Sequence, residues 1–254
     1  MDPTSWLTFA AAVFIGSYIQ SVVGFGIGMI VMAIVGASGT LSLPALTAAV
    51  SLISIINIVV ALKGHVRAID RPLLGWLVAG QIPAIFAGLW VLTVLDRDAQ
   101  TLLRILLGLF VAGGSLSMMI RPVPLSRVSR PSVCVAAGIG GGLIGGMFSA
   151  SGPVIGWFTY RQPLTVATIR ATMLCFFGVA TTTRTVAVGF QGGLTAEVLA
   201  ISALAAPLVI LGAWLGRAKP PPVSDAVMKH GVFYLLFLLG LFIIGSAVAE
   251  YGNV

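Results

Sequence analysis

The sequence predicts an all-α integral membrane protein of two inverted-topology repeats, each a broken or re-entrant helical hairpin followed by three transmembrane helices. Three observations carry this prediction. The chain is too apolar for a water-soluble surface, apolar runs of bilayer-spanning length recur from end to end, and lysine and arginine gather on alternate loops. With 58% hydrophobic and only 8% charged residues and a mean hydropathy of +1.09, there are too few charges to coat a globule. Residues 1–254 therefore read as a single membrane domain with no room for a soluble catalytic module. The opening "MDPTSW" lacks a positively charged n-region, so the first apolar run is expected to belong to the body of the protein rather than to a removable signal.

Taken in order, the first apolar region, Trp6–Ala37, is too long for one ordinary span and is interrupted by "GFGIG" at Gly24–Gly28. Clear spans follow at Leu43–Leu62, Pro72–Leu95 and Arg104–Ile120, each of a length that crosses roughly 30 Å of hydrocarbon as a helix. A basic linker, "RPVPLSRVSRP" (Arg121–Pro131), comes next. Beyond it lies a second overlong region, Val133–Tyr160, interrupted by "SASGP" at Ser149–Pro153, and then spans at Thr165–Val188, Leu194–Leu215 and Gly231–Ala249.

Each interrupted region is either one long tilted helix or a pair of segments that enters and turns back. Charge separates the two, because cytoplasmic loops collect Lys and Arg. If both regions turn back, Lys63, Arg67, Arg71, Arg121, Arg127, Arg130, Arg161, Arg170, Arg217, Lys219 and Lys229 share one side and only Arg97 and Arg104 lie opposite. If both cross once, the two sides come out nearly equal. An arrangement with one single crossing, in the first half, matches the charge pattern equally and is set aside by symmetry. With two hairpins, five segments precede the linker and five follow, so the halves, 1–120 and 132–254, run in opposite senses. The linker at 121–131 is then cytoplasmic and both termini are outside. A duplication is also visible: "QIPAIFAGLW" and "APLVILGAW" align Pro83 with Pro207, Gly88 with Gly212 and Trp90 with Trp214, and near the same shift "GFGIG" falls opposite "SASGP".

Non-helical backbone at membrane depth exposes N–H and C=O groups that lipid cannot satisfy, so it occurs where protein or a wet cavity does. Two breaks at matching positions point to a binding site between them. In the second, Ser151 suits an N-cap and Pro153 the first turn of a half-helix whose free N–H groups favour an anion, with Ser149 and Gly152 beside them. In the first, Gly24, Phe25, Gly26 and Gly28 offer bare backbone. Gly138, Gly142 and Gly146 have the spacing of close helix packing instead. Polar residues inside spans extend the candidate substrate path: Asn57, Arg170, Thr182 from the run Thr181–Thr185, and Arg184. Both arginines lie near helix ends, where snorkelling to the interface is the competing reading. Pro83 and Pro207 read as hinges or as fixed kinks.

What is missing also restricts function. No Asp or Glu lies deep in a span, and His65 and His230 are peripheral. This argues against a metal site, an aspartyl dyad or a proton relay in the membrane; no enzyme activity and no cofactor is expected. The net charge of +7 sits in loops rather than in an aromatic-lined groove, so nucleic acid is not an expected partner. The expected partners are a small anion and membrane lipid, and a homodimer stays open. Cys134 and Cys175 lack ligand-like spacing and read as small buried hydrophobes.

The segments "SVVGFGIGMIV", "GGGLIGGMFSASGPVIGWF", "IRATMLCFF" and "RTVAVGFQGG" together resemble the sulfite exporter TauE/SafE family of membrane permeases, the "SGP" version resembling one subgroup. The resemblance covers nearly the whole chain. It implies transport of small anions, typically sulfite or organosulfur compounds such as sulfonates, across the bacterial cytoplasmic (inner) membrane. One departure is the missing early proline after "GFGIG". The expectation is an exporter working by alternating access with the anion held at the two breaks. The alternatives are an anion channel and a non-transport membrane assembly protein.

Overall fold

A computed structural model describes residues 3–38, 41–120, 123–219 and 225–251. These form ten α-helices and one 3-10 turn, with no strand among the described residues: α1 (Pro3–Val23), α2 (Ile27–Ser38), α3 (Leu43–Leu62), α4 (Arg71–Asp98), α5 (Gln100–Met119), α6 (Pro131–Phe148), α7 (Gly152–Tyr160), α8 (Val166–Phe190), α9 (Ala196–Ala218) and α10 (Asp225–Tyr251). Seven of them, α1, α3, α4, α5, α6, α8 and α9, are long and apolar enough to cross a membrane. The chain is a multi-pass integral membrane protein. Of the expected features, both chain ends, Arg121 and the side chain of Lys229 lie outside the described residues.

Polar caps fix the helix starts. Ser42 Oγ accepts the Ala45 N–H at 3.4 Å, Asp70 Oδ1 accepts Leu73 N–H at 2.9 Å, and Thr165 and Thr195 do the same for α8 and α9. Pro44 and Pro72 follow in the first turn, where no N–H is missed.

Both overlong regions are broken where the sequence places the breaks. In the second, Gly141 packs on Ile155 and Gly145 on Ser151, so numbers fall along α7 as they rise along α6 and the chain turns back. In the first, Gly16 lies against Ile27. The nine residues of α7 extend about 14 Å at 1.5 Å per residue, under half the hydrocarbon thickness. On its own this helix is too short to cross a membrane.

Glycine sets the tightest helix contacts. A Cβ on Gly138, Gly142 or Gly146 of α6 would collide with the carbonyls of Leu77, Gln81 or Ile85 of α4. Numbers rise together along the two helices, so they run parallel. Gly212 and Gly216 of α9 lie against the Phe14 and Tyr18 carbonyls of α1 in the same parallel way, and Gly108 of α5 meets Gly240 of α10. The prolines Pro83 and Pro207 lie inside continuous helices.

Several connections meet at one end. Arg217 donates to Val60 O and Lys63 O at 2.8 and 3.0 Å, Asp70 N–H to Thr172 Oγ1 at 3.0 Å, and Leu125 N–H to Arg161 O at 2.7 Å. These contacts collect Lys63, Arg71, Arg127, Arg130, Arg161, Arg170, Arg217 and Lys219 at a common basic end. Cys134 is buried and Cys175 half-buried, both as free thiols.

Candidate functional site

The two breaks are made by different backbone devices. At the first, Gly24 and Gly26 hold φ of +98° and +138°, conformations an L side chain rarely adopts. Gln20, one turn back on α1, then reaches across: its Oε1 accepts the Ile27 N–H at 3.2 Å, satisfying an orphan donor at the start of α2. That bond fixes the amide, so Nε2 points the other way, buried and without a hydrogen-bond partner. At the second break Ser149 adopts the left-handed region, φ +52° and ψ +27°, which costs a non-glycine residue about 1 kcal/mol. Its hydroxyl lies 2.9 Å from Ser51 Oγ on α3. Ser51 also lies 2.9 Å from Thr47 O, so the Ser149 and Ser51 hydroxyls belong to one chain of hydrogen bonds that runs from the break to α3. Ser151 occupies the N-cap position of α7 but makes no side-chain capping bond, contrary to the sequence reading. Its hydroxyl is left for the cavity described below.

The breaks cross each other. Gly28 lies under the Ser149 carbonyl and Ala150, and Gly152 lies under the Phe25 ring. Neither position has room for a Cβ, so the small residues are required by the approach of the two chains.

Arg184 of α8 is the polar centre of this crossing. Only 2% of it is exposed, which rules out the snorkelling reading: the guanidinium runs inward, not to the interface. Nε donates to Gly146 O at 3.0 Å, Nη1 to Thr47 O at 2.8 Å and Ser51 Oγ at 2.9 Å, and Nη2 to Thr47 Oγ1 at 2.6 Å. Gly146 O is one of the last carbonyls of α6, left orphaned by the break. Arg184 thus caps α6 while bracing it against α3. Four of its five N–H donors are engaged, and the second N–H on Nη2 has no protein partner among the described residues. None of its partners is a carboxylate, so among the described residues its positive charge is buried with hydrogen bonds but without a counter-ion.

A cavity of about 30 Å³ lies beside it, room for one or two waters. Of the sequence-predicted residues, Phe25, Gly26, Gly28, Ser149, Ser151, Gly152 and Arg184 line it together. Gly24 packs instead on Met173 and Arg170. Pro153 packs on Gly114 of α5. Asn57 is fully buried and ties α3 to α1, its Nδ2 donating to Ser17 O at 3.1 Å and Ser17 Oγ at 2.6 Å. Arg170 lines a separate chamber at the basic end. Thr182 is exposed, while its neighbour Thr181 is buried in the cavity wall, its hydroxyl donating to Phe177 O at 2.8 Å.

The sequence reading missed Gln20, Ser54 and Thr181 in the wall and Thr47 and Ser51 behind it. Helical spacing carried the signal. Thr47, Ser51 and Ser54 fall at i, i+4 and i+7 on α3, and Phe177, Thr181 and Arg184 repeat that spacing on α8.

The sequence model of the family described as "Sulfite exporter TauE/SafE" matches residues 8–243. A protein of Cupriavidus necator named "Probable sulfite/organosulfonate exporter TauE" is 36% identical over 236 residues, 93% of this chain and 92% of that protein. No solved structure matches the chain.

Proposed function

Because the chain belongs to the sulfite exporter TauE/SafE family, we propose that it carries a small oxyanion, sulfite or an organosulfonate, out across the bacterial cytoplasmic membrane. One observation supports this above the others: the Arg184 guanidinium, 2% exposed and without a carboxylate, borders a cavity at the crossing of two helix breaks. Burying an unpaired charge is costed at several kcal/mol. An anion in the cavity offsets that cost and finds further donors in the spare Nη2 N–H, Gln20 Nε2, the Ser151 hydroxyl and the free N–H groups at the starts of α2 and α7. Ser149, in the cavity wall and hydrogen-bonded to Ser51, adds its hydroxyl to this set.

The same reading makes the chain two inverted repeats, α1–α5 and α6–α10, flanking the cytoplasmic linker at 121–131. The packing supports it: exchanging the halves turns the α4 and α6 contact into the α9 and α1 contact, both parallel and both glycine-mediated. The positive-inside rule then sets the basic end in the cytoplasm and both termini outside. Alternating access follows as rocking of one repeat against the other.

The test is anion-induced thermal stabilisation of the purified protein across sulfite, sulfate, thiosulfate, taurine, sulfoacetate and several carboxylates. Sulfite or a sulfonate should raise the melting temperature selectively, by up to the equivalent of about 2.7 kcal/mol at a hundredfold excess over Kd, and Ser151→Leu should remove the shift. A folded protein that no anion stabilises would reduce the crossing to helix packing.

A further inference from the structure

Two chambers follow one another along the same three helices. The central cavity is bounded by Gln20 on α1, Ile58 on α3 and Phe177 on α8. Their neighbours toward the basic end, Ser21, Ala61 and Leu174, bound a second chamber of about 540 Å³. Ile58 to Ala61 and Phe177 to Leu174 are steps of about one helical turn, so the partition is a single layer, in which Ile58, Leu174 and Phe177 are all buried. The second chamber carries His65, Arg170 and Arg217 in its lining and, among the described residues, no acidic one. Arg217 is anchored there by its bonds to the last carbonyls of α3. On α1, the consecutive residues Gln20 and Ser21 each bury a polar atom without a hydrogen-bond partner, Nε2 and Oγ, and line one chamber each.

We propose that the chamber at the basic end is a loading vestibule, a second anion site that concentrates the substrate and passes it across the Ile58, Leu174 and Phe177 partition to the central cavity. A cleft lined by charges of one sign with low-dielectric walls focuses its field and raises the local concentration of the counter-ion. Gln20 and Ser21 supply polar groups on either side of the apolar layer, so the anion is not stripped of every partner as it passes. The vestibule rests on the anion reading of the central cavity. The same basic chemistry would also hold the phosphate of an anionic lipid headgroup, and the experiment separates the two.

The full-length protein is reconstituted in vesicles and sulfite flux is followed against sulfite concentration at low and high salt. Ala167, an exposed residue of the lining, is changed to Glu, and Arg170 to Gln and to Lys. Ala167→Glu and Arg170→Gln should raise KM about threefold to tenfold with kcat retained, high salt should shrink the difference, and Arg170→Lys should restore KM. An unchanged KM in Ala167→Glu, a salt-independent effect, or failure of Arg170→Lys to restore KM overturns the vestibule. KM effects that appear only when phosphatidylglycerol is added to neutral phosphatidylcholine vesicles assign the chamber to lipid and overturn it too. Ser151→Leu run alongside keeps the two readings apart: normal flux in that variant sinks the central site, whereas lost flux together with an unmoved Ala167→Glu KM sinks the vestibule alone.

Discussion

Replacing Arg184 with Met tests the central argument most directly. The substitution removes a buried charge, relieving a desolvation penalty of several kcal/mol. Against that gain, Gly146 O, which Arg184 Nε now satisfies at 3.0 Å, becomes an unpaired carbonyl at a helix end, at about 1–3 kcal/mol. The remaining acceptors lose less. Thr47 O keeps the Ser51 hydroxyl at 2.9 Å, and Thr47 Oγ1 keeps its own bond to Pro44 O at 3.0 Å. The two sides nearly offset, so the anion-free variant should fold and melt within several degrees of the parent protein. Its anion response should not survive. An anion about 4 Å from a guanidinium gains about 4 kcal/mol at an effective dielectric constant near 20, close to three orders of magnitude in Kd. The assay is a paired thermal melt with and without sulfite, supported by flux in vesicles. A folded Arg184→Met protein with a sulfite-induced shift like the parent's would refute the claim that this charge waits for an anion.

Three further substitutions probe the architecture and the cavity wall. Gly142→Ala drives a Cβ into the Gln81 carbonyl across the α4 and α6 contact; it should destabilise by about 1–3 kcal/mol, read as a lower melting temperature in the absence of any anion. Gln20→Leu removes both the bond to Ile27 N–H and the unpartnered Nε2; a loss of about 1 kcal/mol in stability should accompany an anion Kd weakened about tenfold, measured by titrated melts. Thr181→Leu places bulk in the cavity wall and should depress flux severalfold, whereas Thr182→Leu, on the exposed face, should leave both flux and melting temperature where they were.

The fold was legible because its determinants are coarse. Hydropathy over windows of about 20 residues finds spans, and the two glycine-rich interruptions fell where α1 gives way to α2 and α6 to α7. Side-chain destinations were harder to read, for a physical reason. A helix turns about 100° per residue, so Thr181 and Thr182 have nearly the same hydropathy context and opposite fates, one in the wall and one exposed. Only registering the α8 stripe on Arg184 separates them. Arg184 itself was ambiguous because a long side chain near a helix end can run either way. The direction is set by acceptors on other elements, the orphaned Gly146 carbonyl and the Thr47 and Ser51 oxygens, which no local pattern brings together. Gln20 escaped notice for the same reason, since its value lies in reaching Ile27 across a break.

The absence of a carboxylate beside Arg184 among the described residues bears on how the proposed transporter would avoid idle cycling. A permanent Asp or Glu partner would make the site neutral when empty and leave an incoming anion as an extra, uncompensated charge. With hydroxyl and carbonyl partners only, the empty site is the charged one and the loaded site carries the cancelled charge when the anion is monovalent. Sealing a neutral site from water costs less than sealing a charged one, so the rocking motion is favoured with anion aboard. An inside-negative potential adds about 2.3 kcal/mol per charge per 100 mV to the outward movement of a free anion. In the loaded protein that work is done on Arg184 and anion together, so flux should depend on membrane potential chiefly through the return of the empty, charged site. Flux in vesicles clamped at several potentials checks this: for a monovalent sulfonate, voltage should change the rate of net export but barely touch one-for-one exchange of substrate across the membrane. Equal voltage dependence of the two processes would contradict the charge assignment.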